Sequence, residues 1–256
     1  MRTVLVIGIG LGGPEQVTLE AVAALNRVDV FFGVEKGTAA DELVALRRAV
    51  CERHATTRPH RFVNAPDPAR DRAPASYERA VADWTAARAE VYEAMLRSEL
   101  ADGGCGAFLA WGDPAFYDSI LRVLAAVRSR GGLHLEVEVI PGVSSIQALA
   151  AAHKVSLTQV GRPLMVTTGR RLAAGGFPPG VDDVVVMLDG DTAFAAIDPE
   201  GLTIFWGAYL GSPEQILVAG DLAEVRDEIV ARRREARDRR GWIMDTYLLR
   251  RPVDDA

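Results

Sequence analysis

Residues Thr3 to Ile9 form an unbroken apolar run that ends in glycines, the pattern of a strand buried on both faces in a parallel sheet. Thr18 then reads as a helix N-cap, with Leu19, Val22, Ala23 and Leu25 at helical spacing behind it. Asp29–Val34 predicts a second strand and Ala39–Arg53 a second helix, a β-α-β-α opening. Residues 55–75 are rich in Pro, Arg and Asp and read as a surface loop. Ser76 caps a long helix to about Leu100, with Trp84, Val91, Met95 and Leu96 as core positions. Gly106–Ala110 predicts a strand running into Trp111-Gly112-Asp113-Pro114, and Phe116–Arg130 a helix. Leu133–Ile140 predicts a strand running into Pro141-Gly142-Val143-Ser144-Ser145, with a short helix to about His153.

The pattern changes after a linker at Leu157–Pro163. Strands are predicted at Leu164–Thr168, Val184–Leu188, Leu202–Tyr209, Ile216–Ala219 and Asp245–Arg250, with one long helix at Leu222–Arg240. An excess of strands over helices indicates a mixed sheet. The chain therefore divides near residue 160 into two α/β domains: 1–160 with a mostly parallel sheet, and 161–256 with a mixed one.

At 256 residues the chain buries a core without disulfide staples, and two cysteines, Cys51 and Cys105, exclude a cysteine framework. No apolar run reaches the roughly 18 residues of a membrane span, and the N-terminus lacks a signal-peptide pattern, so a cytoplasmic protein is expected. A net charge of −6 argues against a nucleic-acid partner, and no feature supports a membrane role. Only Lys36 and Lys154 are lysines; every other basic residue is arginine. Codon bias explains that, and so does bidentate gripping of carboxylates or phosphates; composition does not choose. His54, His60, His134 and His153 are scattered without metal-site spacing, so no metal is assigned.

Three strand-end turns carry the candidate chemistry. Gly8, Gly10 and Gly13 spell G-x-G-x-x-G, with Glu35 ending the next strand, which is the dinucleotide fingerprint and makes a nicotinamide-dependent oxidoreductase one reading. Pro14 removes a backbone donor beside the third glycine, and the helix starts only at Thr18; both weaken phosphate binding there. A plain tight turn, or another ligand approached closely by backbone, remains open. Gly112-Asp113-Pro114 and Pro141–Ser145 occupy equivalent strand ends. Ligands of open α/β sheets bind beyond that edge, so three turns there point to a ligand site.

Taken in this order and spacing, Gly8–Pro14 with Thr18-Leu19, Gly112-Asp113-Pro114 and Pro141–Ser145 resemble the tetrapyrrole methylases over nearly the whole chain. Glu35-Lys36-Gly37, Leu109–Ser119, Thr167–Arg171, Trp206–Gly211 and Gly241–Tyr247 resemble the branch that methylates precorrin-5 at C1 and releases its acetyl group as acetate. The resemblance implies two α/β domains with S-adenosyl-L-methionine in the cleft between them, S-adenosyl-L-homocysteine as product, and a homodimer. By motif, the cofactor contacts it implies are Pro14, Trp111, Gly112, Asp113, Phe116, Ser144, Ser145, Met187, Gly207 and Ala208. Many relatives carry Gly-Pro-Gly in the first loop, whereas this chain has Gly12-Gly13-Pro14-Glu15, which puts the contact of Pro14 in question.

Methyl transfer from a sulfonium to an electron-rich carbon requires alignment and exclusion of water, so glycine turns can dominate a site that has no triad. Loss of an acetyl group requires more: a base to activate water and a donor to stabilise the oxyanion. Glu35, Asp113 and Asp245 are the candidate bases and Lys36 and Tyr117 the candidate donors; Asp113 alternatively holds its own turn through an Asx hydrogen bond. Arg170 and Arg171, read as an extended segment, are candidates for pairing with substrate carboxylates, one of them facing the cleft. A tetrapyrrole-binding carrier without catalysis is the non-enzymatic alternative.

Overall fold

The computed structural model describes residues 1–11, 13, 15–35, 39–69 and 76–251. Their contacts divide the chain into two compact units, Met1–Ser144 and Ser145–Ala256.

The first unit is built on a fully parallel sheet of β1 (Arg2–Gly8), β2 (Val30–Glu35), β3 (Arg61–Pro66), β4 (Cys105–Ala110) and β5 (Leu135–Ile140), in the order β3-β2-β4-β1-β5. Its helices are α1 (Leu19–Leu25), α2 (Ala39–His54), α3 (Tyr77–Glu99) and α4 (Ile120–Ser129). The period of two along β1 sends Val4 and Val6 into one core, with Phe32, Phe108, Tyr92 and Leu124. Leu5 and Ile7 enter the opposite core, with Phe31, Leu25, Val50 and Cys51. The apolar run of β1 is thus explained by burial on both faces. Thr18 accepts the Ala21 N–H at 3.1 Å and Ser76 accepts from Arg79, so both caps stand where the sequence puts them. The route from β1 leads to β2 on one side, whereas β5 adjoins β1 on the other, so β1 lies at a topological switch point.

Two expectations are corrected here. The segment expected as a loop at 55–75 contains β3, an edge strand with one neighbour and no long apolar run. The helix expected from Phe116 begins only at Ile120, because Tyr117 takes a left-handed backbone with φ +53° that a helix cannot include.

The second unit contains α5 (Ser145–His153), β6 (Leu164–Thr168), α6 (Gly169–Gly175), β7 (Asp183–Met187), a 3₁₀ turn at Ala193–Ala195, β8 (Thr203–Ala208), β9 (Ile216–Asp221), α7 (Leu222–Arg240) and β10 (Asp245–Arg250). The strand order is β6-β7-β10-β8-β9; only β6 and β7 pair in parallel, which makes the mixed sheet. The compact units divide before α5, not near residue 160. The reason is local: His153 Nε2 lies 3.0 Å from the Trp206 carbonyl, its ring meets Phe205 edge-on, and Leu149 crowds Gly207. Among the described residues no helix is long and apolar enough to cross a membrane.

Candidate functional site

In the first unit the ends of β4, β1 and β5 lie side by side, and their glycine turns lock together. Gly10 and Gly112 form an isolated antiparallel bridge, with the Gly112 N–H 2.8 Å from the Gly10 carbonyl. Both take left-handed φ, +70° and +74°, which favours glycine. A Cβ on Gly142 would stand 2.3 Å from the Gly112 oxygen, and one on Gly8 would stand 2.6 Å from the Gly142 nitrogen, so main chain meets main chain. Asp113 fastens the arrangement. Its Oδ1 accepts the Ala115 N–H and its Oδ2 the Gly142 N–H, each at 2.8 Å. Ser144, buried, follows on the same edge, its Cα within 3.7 Å of where a Gly112 Cβ would lie. Trp111 and Phe116 are half-buried beside it in sequence, and Tyr117 is exposed. Partial burial raises the Tyr117 phenol above its ordinary range, so it keeps its proton at neutral pH.

Gln16 is a residue the sequence reading missed. Its side-chain Oε1 accepts the Leu11 N–H at 3.1 Å, and its Cβ crowds Gly10, closing the first loop. Because α1 starts after Thr18, no helix N-terminus follows directly on the Gly8–Gly13 loop, and the dinucleotide reading loses its physical basis.

In the second unit Met187 ends β7, half-buried, and Gly207 and Ala208 end β8, buried. Thr246 pairs opposite Gly207, and its Oγ1 donates to Ser145 Oγ at 3.1 Å, so Ser145 sits at the same strand ends. A buried ionic network underlies them. Arg233 Nε and Trp206 Nε1 both donate to Asp245 Oδ2 at 2.9 Å, and Arg233 also donates to the Asp189 carbonyl. The Tyr247 hydroxyl and the Ala193 N–H donate to Asp189 Oδ2 at 2.7 and 2.8 Å. Burial pushes the Asp245 carboxyl above the usual carboxylate range, against the pull of Arg233. Leu188, left-handed at φ +53°, turns the chain from Met187 into this network.

The family profile of the tetrapyrrole (corrin/porphyrin) methylases matches residues 3–226. The chain belongs to this family. The methylase is similar to a precorrin-6A synthase [deacetylating] of Sinorhizobium sp., at 46% identity over 254 residues, covering 99% of this chain and 97% of that protein. It is also similar to the crystal structure of a cobalamin synthesis related protein (CobF) from Corynebacterium diphtheriae. That match has a TM-score of 0.82 and 36% identity over 98% of this chain and 99% of the other. A uroporphyrin-III C-methyl transferase from Thermus thermophilus, solved with S-adenyl homocysteine, shares the fold at a TM-score of 0.58 and 19% identity, covering 96% of each chain.

The other expected site residues of the methylase stand as follows. Pro14 and Lys36 lie outside the described residues, as does the side chain of Glu35, which ends β2. Arg170 and Arg171 are not on an extended segment: they form the first turn of α6, both exposed. The chain turns there because Gly169, bare of side chain, lies against Asp189; a Cβ would sit 2.5 Å from its Cγ. Among the described residues no group of His, Cys, Asp and Glu is arranged to hold a metal ion.

Proposed function

We propose that the chain is an S-adenosyl-L-methionine-dependent C-methyltransferase that methylates precorrin-5 at C1 with loss of the acetyl group as acetate, giving precorrin-6A. The observation that carries this is the 46% identity, over almost the full length of both chains, to a protein named for that reaction. The geometry of the first unit fits the cofactor. The switch-point edge is paved by Gly10, Gly112, Gly142 and Ser144, so main-chain groups rather than bulky side chains meet a ligand there. Trp111, Gly112, Asp113, Phe116 and Ser144 of this edge would hold it, and Pro14, Ser145, Met187, Gly207 and Ala208 are assigned to it by family likeness alone. When bound, the cofactor supplies an electrophilic methyl group.

The protein's own part is alignment and dryness, worth up to about 7–11 kcal/mol for a well-oriented pair. Asp113 serves as a positioning residue, since both its oxygens already accept backbone N–H groups. Tyr117, exposed and protonated, is the donor that would stabilise the oxyanion during acetyl loss, with Glu35 and Lys36 as base and second donor. A cytoplasmic homodimer with a tetrapyrrole substrate follows from family likeness alone.

Incubation of the purified protein with precorrin-5 and S-adenosyl-L-methionine tests the reading. Mass spectrometry should show one methyl gained and one acetyl lost, with acetate and S-adenosyl-L-homocysteine released in equal amounts. Methyl gain without acetate, or no gain at all, overturns it.

A further inference from the structure

β2 and β4 run side by side only as far as Phe32 and Phe108, while β2 stays with β3 through Glu35. The first sheet therefore forks at its C-terminal edge. Ala110 turns its carbonyl toward β1, where Ile9 N–H donates to it, so the neighbouring Leu109 carbonyl faces the fork. Arg47, from α2, reaches into this gap and donates Nε to that carbonyl at 3.2 Å. Among the described residues its guanidinium has no other hydrogen-bond acceptor. A solvent-open concavity adjoins it, walled by Phe31, Val34, Val44 and Phe62 and lined also by Arg48 and Asn64.

Among the described residues no carboxylate hydrogen-bonds to Arg47. Asp118 attracts Arg47 without a hydrogen bond to it, and Arg88, which repels it, is held by Asp67 and Ser119. Burial itself lowers the pKa of Arg47, the mark of a cation short of an anion. A planar guanidinium with open N–H groups at the edge of such a concavity matches a carboxylate in two-point fashion.

We infer that this fork is a substrate subsite in which Arg47 receives the carboxylate of one carboxyalkyl arm of the tetrapyrrole, the aromatic walls covering its methylenes. This rests on the function proposed above and adds a specificity-determining residue to it. The test compares wild type, Arg47→Met and Arg47→Lys in methyl-transfer kinetics, S-adenosyl-L-homocysteine affinity and Tm.

Loss of a charge-assisted pair predicts a KM raised about 10-fold or more in Arg47→Met and less in Arg47→Lys. The loss falls on KM rather than kcat, cofactor-product affinity holds, and the Tm of Arg47→Met equals or exceeds wild type. An unchanged KM in both variants overturns the subsite. So does a Tm loss accompanied by a parallel loss of S-adenosyl-L-homocysteine affinity, which marks an arginine that merely holds β4. A second readout needs no turnover. Glutarate at tens of millimolar should raise the Tm of wild type but not of Arg47→Met; equal responses overturn the subsite. A wild type that binds glutarate through Arg47 yet transfers no methyl group defeats the functional reading and leaves the subsite standing.

Discussion

One carboxylate, that of Asp113, joins two turns of the first unit. Its oxygens accept one N–H from its own turn and one from the turn after β5, so its charge is used in positioning. Asp113→Asn puts an amide NH₂ where one backbone N–H needs an acceptor. Leaving that donor unsatisfied costs about 1–3 kcal/mol. The expected outcome is a lower urea midpoint, with S-adenosyl-L-homocysteine affinity falling alongside because Ser144 moves with Gly142. Calorimetric titration and urea unfolding check both. A variant that keeps its stability and affinity but loses turnover would return Asp113 to the role of base.

At the level of elements, the packed ends of β1, β4 and β5 make the edge rigid. Gly142→Ala drives a Cβ into the Gly112 carbonyl, which is backbone and held by the Gly10 bridge, so about 1–3 kcal/mol is lost. Gly175→Ala, at the end of α6, meets nothing within 4 Å and should be neutral or stabilise by up to about 1 kcal/mol. Chemical denaturation of the two variants makes the comparison; equal losses would mean that the turn packing does not hold the edge. These turns were legible in the sequence because a glycine requirement is local, written in the residue itself. The caps at Thr18 and Ser76 were legible for the same reason. β3 was not: Arg61-Phe62-Val63-Asn64-Ala65-Pro66 pairs on one side only and sits among prolines and charges that spell a loop. α6 was hidden by its shortness and by Gly169, whose packing on Asp189 depends on a strand end twenty residues away. Arg47 carried no signal either, since its setting arises where β2 and β4 part, and adjacent Arg48 has the same side chain in a different place.

Across the whole molecule, buried groups that ionise at high pH set an alkaline limit on stability. Burial pushes the Cys51 thiol from 9.0 up to about 12 and the Tyr92 phenol from 10.0 up to about 12. Tyr247 is raised further, first by burial and then by the charge of Asp189, and burial also raises Cys105. In the unfolded chain these groups release their protons near ordinary values, whereas the fold retains them. The unfolded state thus binds fewer protons, and stability falls as pH rises. The contribution is complete below about pH 9 and is lost progressively toward pH 12, each deeply buried group adding a slope of up to about 1.4 kcal/mol per pH unit within its window. Urea unfolding at pH 8, 9, 10 and 11 should show midpoints that are level at first and then decline, more steeply above pH 10 as the tyrosines join. Cys51→Ala should flatten the segment between pH 9 and 10, because Cys51 is fully buried and thiols ionise before phenols. A wild-type midpoint that stays constant to pH 11 would show that these groups reach water in the folded state and would overturn their burial.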